Sequence, residues 1–343
     1  APLMLTDLPA PQAPRAWDFL ELRTRELGHV TRMLHQLGFS LSGHHRSKDS
    51  VQAWTQGPVR IVVSEDPRAT AQPTRLAALG FQVADPDVAA YRAERLLAQT
   101  ADRAQLPDET VLHGVVAPDG TEIFFGPCGE QGVPPWLAEF GADPQDDAPA
   151  SLLTGVDHVN LAQPWQHYDE AVLFLTSLLD LHPAPSQDVA GPSGLVRSQV
   201  MRSAGGVVRI PLNVAPMAAE QVAFTGAAYP EHIALACSDI VAVAQRARRR
   251  GLAFLPVPTN YYEDLVARFD LDADFVGMLE SNGLLYDRDE TGEFLHFYTP
   301  TLGEVFVEVV QRLDGYEGFG APNAPVRLAS QYRELARRDM TRS

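Results

Sequence analysis

Cysteine is nearly absent: Cys128 and Cys237 are the only two in 343 residues. They stand far apart, in no spacing that a disulfide framework, a thiolate metal site or a redox pair would use, and read as inert residues of a reducing compartment. Lysine is scarcer still. Lys48 is alone, and arginine supplies every other cation. Positive charge as a whole is in deficit, with 27 Lys and Arg against 44 Asp and Glu and a net charge of -17. That balance disfavours nucleic acid and anionic membrane as partners. No apolar run reaches the roughly 18 residues of a membrane span. The first 17 residues hold four prolines but no charged-then-apolar signal pattern. A cytoplasmic protein is expected. The sequence also begins without Met, so the leader, 1–15, reads as a linker or as a boundary within a larger parent protein.

What is present is ordinary in bulk, 45% hydrophobic and 21% charged, and repetitive in order. Trp17–Arg23 alternates apolar and polar residues, as a half-buried strand does. Leu27–Leu37 then carries Val30, Met33, Leu34 and Leu37 at helical spacing, and Gly38 stops it. Strands at 51–54 and 59–63 follow around the turn Gln56-Gly57-Pro58. The order strand, helix, strands recurs at 79–125, again from Gly155, and a fourth time from Glu231, at a spacing of about 75 residues. One such unit cannot close its sheet or bury its face alone; two can wrap a barrel-like sheet around a cavity. The fold class expected is therefore α+β, with two tandem domains of two units each. The boundaries read as 16–127 and 155–343, with a Pro-, Gly- and Asp-rich linker at 128–154. A terminal helix over 326–338 is expected to pack back on the second domain. Edge strands of half-open sheets make self-association a further expectation.

Three residues stand out chemically. His158 opens the first strand of the third unit and His232 that of the fourth, 74 residues later in the same slot. On strand alternation His232 shares its face with Ala234 and Ala236, which leave room for a ligand. Glu308 lies in Val-Phe-Val-Glu-Val-Val, where a carboxylate is costly to bury unless paired or metal-bound. A histidine at a strand start, or one buried glutamate, is commonplace alone. Two matched histidines and a carboxylate suit a non-haem Fe(II) centre with positions left open.

These segments resemble the 4-hydroxyphenylpyruvate dioxygenase family of the vicinal oxygen chelate superfamily. The resemblance runs through His45-Arg46-Ser47-Lys48, Asp157-His158, Arg209-Ile210-Pro211-Leu212-Asn213, Tyr261-Tyr262-Glu263, Phe306-Val307-Glu308, Gln311-Arg312 and Gly318-Phe319-Gly320. It implies four βαβββ units and a metal-free first domain in which His44 and His45 are structural. It also implies His158, His232 and Glu308 as iron ligands, with a 2-oxo acid and O2 as substrates in a decarboxylation coupled to ring hydroxylation. By position, Ser198 and Asn213 look like a polar pair at the substrate, and Phe319 like a pocket residue. The departures are His296 where the family commonly has Gln, Tyr298 at a ring-stacking Phe slot, Ala324 at the second stacking Phe, and a shortened segment between Asn213 and His232. They suggest a different or more polar substrate, with His296 and Tyr298 counted among its contacts. A second resemblance is to the C-terminal dioxygenase-like module of bifunctional 3-dehydroshikimate dehydratases, where an upstream barrel performs the dehydration; no such activity is expected of this chain by itself. Two other functions compete. One is an extradiol ring-cleaving dioxygenase with His296 as its acid–base group. The other is a non-catalytic module.

Overall fold

The stretch read as alternating becomes β1 (Ala16–Thr24), and the apolar helical face becomes α1 (Leu27–Leu37), closed by Gly38 at a φ of 104°, where L side chains are strained. These coordinates come from a computed structural model, which describes residues 8–65, 73–101, 103, 105–141, 150–191, 194–214 and 230–342. The shortened segment after Asn213 lies mostly outside the described residues, as do 142–149 and the start of the leader.

The first unit continues as β2 (Ser40–His45), β3 (Lys48–Gln56) and β4 (Val59–Glu65). The second is β5 (Arg75–Val83), α2 (Pro86–Arg95), β6 (His113–Val116) and β7 (Glu122–Pro127). Together they form one mixed seven-stranded sheet in the order β2-β3-β4-β1-β5-β7-β6. The third unit is β8 (Leu153–Gln163), α3 (Tyr168–Leu179), the short β9 (His182–Pro183), β10 (Gln187–Gly191), β11 (Gly194–Arg202) and β12 (Arg209–Val214). The fourth is β13 (Glu231–Cys237), α4 (Ile240–Arg249), α5 (Asn260–Phe269), α6 (Ala273–Asn282), β14 (Leu285–Arg288), β15 (Glu293–Tyr298) and β16 (Val305–Leu313). Their sheet has nine strands, ordered β10-β11-β12-β8-β13-β16-β15-β14 with β9 beside β11. The architecture is the tandem α+β arrangement expected. No helix of the described residues is long and apolar enough to cross a membrane.

The differences from the sequence reading are local. Strands β2, β9 and β10 and the helices α5 and α6 had no predicted counterpart. Helix α6 begins where the Asp272 side chain accepts from the backbone N–H groups of Asp274 and Phe275, and it ends at Gly283, φ 65°. Gly283 is thus the cap before β14. The terminal helix α7 (Ala324–Arg342) starts two residues earlier than predicted and packs on the second sheet: Ser330 Oγ donates to Pro256 O at 2.8 Å, and its first turn covers Tyr298 and Phe306.

The two sheets share a central plan. β1 pairs antiparallel with β5 as β8 does with β13, and β5 pairs parallel with β7 as β13 does with β16. Both first strands carry the same irregularity. Register skips Asp18 between Trp17 and Phe19, and skips Asp157 between Val156 and His158. One apolar core passes through both sheets; α1 lies against α4 and α2 against α3.

Candidate metal centre

The bulge in β8 is what makes His158 usable. In a regular strand Asp157 would point to the opposite face. The extra residue turns it, and Asp157 Oδ1 lies 2.7 Å from His158 Nδ1. Arg312 fixes that carboxylate from β16, Nε donating to Oδ2 at 2.7 Å and Nη2 to Oδ1 at 2.9 Å. Burial opposes the charge on Asp157, yet Arg312 and His158 hold its carboxyl well below the usual range. An Nδ1–H directed at a carboxylate leaves the Nε2 lone pair of His158 free to ligate.

His232 arrives from β13 and Glu308 from β16, with Ala234 opposite both His158 and Glu308 in register. The small alanine leaves the space between them open. His158 Nε2 lies 3.2 Å from His232 Nε2, and each of these nitrogens lies 3.3 Å from Glu308 Oε2. All three residues are buried. At a metal–donor distance of about 2.1 Å, ligands at right angles sit ~3.0 Å apart, tetrahedral ones ~3.4 Å, and opposed ones ~4.2 Å. A near-equilateral triangle of 3.2–3.3 Å therefore fits one face of a coordination shell and leaves the other face free. Burial pushes His232 down to about 4, so its imidazole is neutral. Burial disfavours a proton on His158 as well, but Asp157 and Glu308 raise it, so a cation would have to displace that proton. Burial likewise opposes ionised Glu308, and the three surrounding imidazoles carry it well below the usual carboxylate range.

The cavity over this triangle is about 250 Å³. Residues from seven strands line it, so the sheet curls around it. Of the predicted substrate residues, Ser198, Asn213, Tyr298 and Phe319 all line the cavity. Ser198 and Asn213 face each other in β11–β12 register. Asn213 Nδ2 donates to Asn160 Oδ1 at 3.1 Å, and its own Oδ1 is buried without a partner among the described residues. Phe319 sets its edge against His158, and Phe306 stacks on His232 with ring centroids 4.8 Å apart.

His296 does not line the cavity, which corrects its assignment as a substrate contact. It is 0% exposed, behind Glu308. Its Nδ1 lies 2.7 Å from Glu308 Oε1 and its Nε2 2.9 Å from Asn323 Nδ2. Asn323 Nδ2 also donates to the Tyr286 carbonyl at 3.0 Å, which fixes the amide orientation. His296 Nε2 is therefore the acceptor, and Nδ1–H donates to Glu308. Gly320, at a φ of 62°, passes so close that a Cβ there would stand 3.0 Å from the His296 ring.

Sequence reasoning missed the roles of Asp157, Arg312, Asn160, Asn323 and Arg327. The aspartate beside His158 was a readable signal. Asn323 gave none, because its partners Tyr261, Tyr286 and His296 lie far away along the chain.

A second convergence of possible donors lies in the first sheet: His45, Glu109 and Glu139. His45 Nε2 stands 3.4 Å from Glu139 Oε2 and 3.7 Å from Glu109 Oε1. The backbone N–H of Ser47 donates to His45 Nδ1 at 3.2 Å, so the ring proton sits on Nε2 and points at the carboxylates. Ser47, Lys48 and the Leu106 N–H already bind Glu109. This is a satisfied hydrogen-bond network, in keeping with a structural His45; His44 is exposed.

Comparison with known proteins shows which chains this one is similar to. Residues 155–280 match the Glyoxalase/Bleomycin resistance protein/Dioxygenase superfamily. A 3-dehydroshikimate dehydratase of Pseudomonas putida is 35% identical over 96% of this chain and 54% of its own, so the chain spans about half of that relative's length. A 4-hydroxyphenylpyruvate dioxygenase of Legionella pneumophila is 26% identical over 93% of this chain and 94% of its own. A solved xylose isomerase-like TIM barrel/4-hydroxyphenylpyruvate dioxygenase fusion protein superimposes with a TM-score of 0.82 at 33% identity, covering 97% of this chain and 55% of that one.

Proposed function

We take as premise that the chain is a 4-hydroxyphenylpyruvate dioxygenase-like member of the vicinal oxygen chelate superfamily, and propose that it is a non-haem Fe(II)-dependent dioxygenase acting on an aromatic 2-oxo acid. The observation that carries this reading is the buried triangle of His158, His232 and Glu308 donors, 3.2–3.3 Å on each side, opening on one cavity. In this reading 155–343 is the metal-binding domain, 16–127 its metal-free partner, 128–154 the linker between them and 1–15 a leader.

Iron, when bound, would supply the redox chemistry and open positions for O2 and an oxo acid. The chain's own residues do the rest. Asp157 and His296 orient His158 and Glu308 through hydrogen bonds of 2.7 Å each. Phe306, Phe319 and Tyr298 keep water from the donors. Asn213 and Ser198 offer polar atoms that fix the substrate's orientation.

The test is anaerobic Fe(II) loading followed by O2 uptake with 4-hydroxyphenylpyruvate. Uptake coupled to CO2 release, lost in Glu308→Ala, is the expected result. Bound iron with no uptake on any 2-oxo acid would defeat the substrate assignment.

A second reading draws on the dehydratase relative and on the fusion structure: the chain works as a dioxygenase-like module beside a barrel that dehydrates. Conversion of 3-dehydroshikimate by this chain alone would defeat that division of labour. The extradiol reading needs an acid–base histidine in the cavity, and both nitrogens of His296 are engaged outside it.

A further inference from the structure

Arg327 stands in the first turn of α7 and is 9% exposed, and what it exposes lines the cavity that holds the three donors. A buried cation is costly without an anion. The first turn of a helix adds to that cost, because the helix dipole is positive there, and α7 has no acidic residue in that turn. The neighbours of Arg327 do not neutralise it. Nη1 donates to the neutral Gln331 Oε1 at 3.0 Å, and the guanidinium carbon lies 5.4 and 5.7 Å from the ring centroids of Phe306 and Tyr298. Among the described residues no carboxylate comes within ion-pair distance. The other arginines that line the cavity differ in this respect: Arg202 meets Glu317, and Arg209 meets Asp157 and Glu317. Ala324, one turn before Arg327, also lines the cavity. A bulky ring there would cover the guanidinium; the methyl group leaves it open.

We propose that Arg327 is the anion-binding residue of this cavity, receiving a carboxylate of the substrate that is separate from the group presented to His158, His232 and Glu308. The substrate class is thus a ring-bearing acid with a metal-binding group and a further carboxylate. The proposal rests on reading this cavity as the substrate site. With only the Ala324 methyl beside it, the guanidinium is open to the cavity, and it binds a carboxylate through charge-assisted hydrogen bonds that a neutral isostere cannot form.

The test compares 4-hydroxybenzoate with its neutral isostere 4-hydroxybenzamide by calorimetric titration, at mildly alkaline pH, into the full chain. One sample is anaerobically Fe(II)-loaded with its iron content measured; the other is chelator-treated. The expected result is an acid-over-amide preference of about tenfold or more in both samples, falling to near one in Arg327→Met and retained in part in Arg327→Lys. Arg327→Gln is the second neutral variant should the Met variant misfold. Equal binding of acid and amide by the unmodified chain, absence of binding by either, or a preference that survives Arg327→Met would overturn the proposal. If Arg327 only braced Phe306 and Tyr298, its loss would lower the melting temperature and leave the preference intact. The chelated sample separates the two readings. Preference without iron uptake sinks the metal assignment alone, and iron uptake without preference sinks only the role of Arg327.

Discussion

At the scale of single residues, the candidate centre depends on side chains that never reach the cavity. Asp157 and His296 each hold a donor-bearing group by a 2.7 Å hydrogen bond, one at His158 and the other at Glu308. Partners of this kind typically set metal affinity by about 10–100-fold. Asp157→Asn, which keeps shape and loses charge, and His296→Ala should each weaken Co(II) binding by about that factor, measured by calorimetric titration with folding checked by circular dichroism. Ser198→Ala, a change in the cavity wall, should leave Co(II) affinity unchanged. The contrast matters more than either value. Equal losses in all three would mean the centre responds to general loosening and not to these hydrogen bonds. The donors themselves could be read from the sequence because strand slots repeat. Of their supports only Asp157, adjacent to His158, was legible; His296 is braced by Asn323, which comes from beyond β16.

At the scale of elements, one device occurs twice with opposite outcomes. The bulge that turns Asp157 toward His158 has its counterpart at Asp18 in β1. There the next residue is Phe19, and the carboxyl oxygens of Asp18 each lie 3.1 Å from Trp136 Nε1. Burial is the dominant effect and outweighs Trp136 and Arg60, raising the Asp18 pKa from 3.8 to about 6. A carboxyl with a raised folded pKa binds its proton more tightly when folded, so the protein loses stability as pH rises from 3.8 through about 6. A shift of about two units corresponds to at most about 3 kcal/mol at neutral pH. Asp18→Asn should remove most of that penalty. Urea unfolding should find the variant the more stable at neutral pH, with the advantage gone once the solution is acidic enough to protonate Asp18 in both states. An advantage independent of pH would reject the linkage. The bulge was invisible in the sequence, since skipping one residue leaves the alternating pattern almost unchanged. Helices α5 and α6 escaped notice as well. The caps of α6, Asp272 and Gly283, are readable in the sequence, whereas α5 starts at Thr259 without a side-chain cap.

At the scale of the whole molecule, duplication fixes where a metal can sit. Register places Phe19 opposite Gly80 and Gly80 opposite Phe124, just as His158 and Glu308 both lie opposite Ala234. His232, two residues before Ala234, corresponds to Ala78. The three donor positions of the second sheet are thus Phe19, Ala78 and Phe124 in the first, and all three belong to one apolar cluster with Trp136 and Phe140. The repeat itself, the tandem sheets and the matched histidine slots were legible because they are written in alternation and spacing. That the equivalent positions of the first sheet carry no donor side chain follows only once register is known. His45, Glu109 and Glu139 are the remaining candidate donors there, and the Ser47 N–H keeps the His45 proton facing the carboxylates. The chain should therefore bind one tightly held divalent ion. Equilibrium dialysis against Co(II), with metal determined by elemental analysis, should give one equivalent per chain. His45→Ala should leave that equivalent in place and Glu308→Ala should remove it. A second equivalent lost with His45 would mean that the hydrogen-bond network in the first sheet yields to a cation after all, and that both halves of the duplication bind metal by different residues.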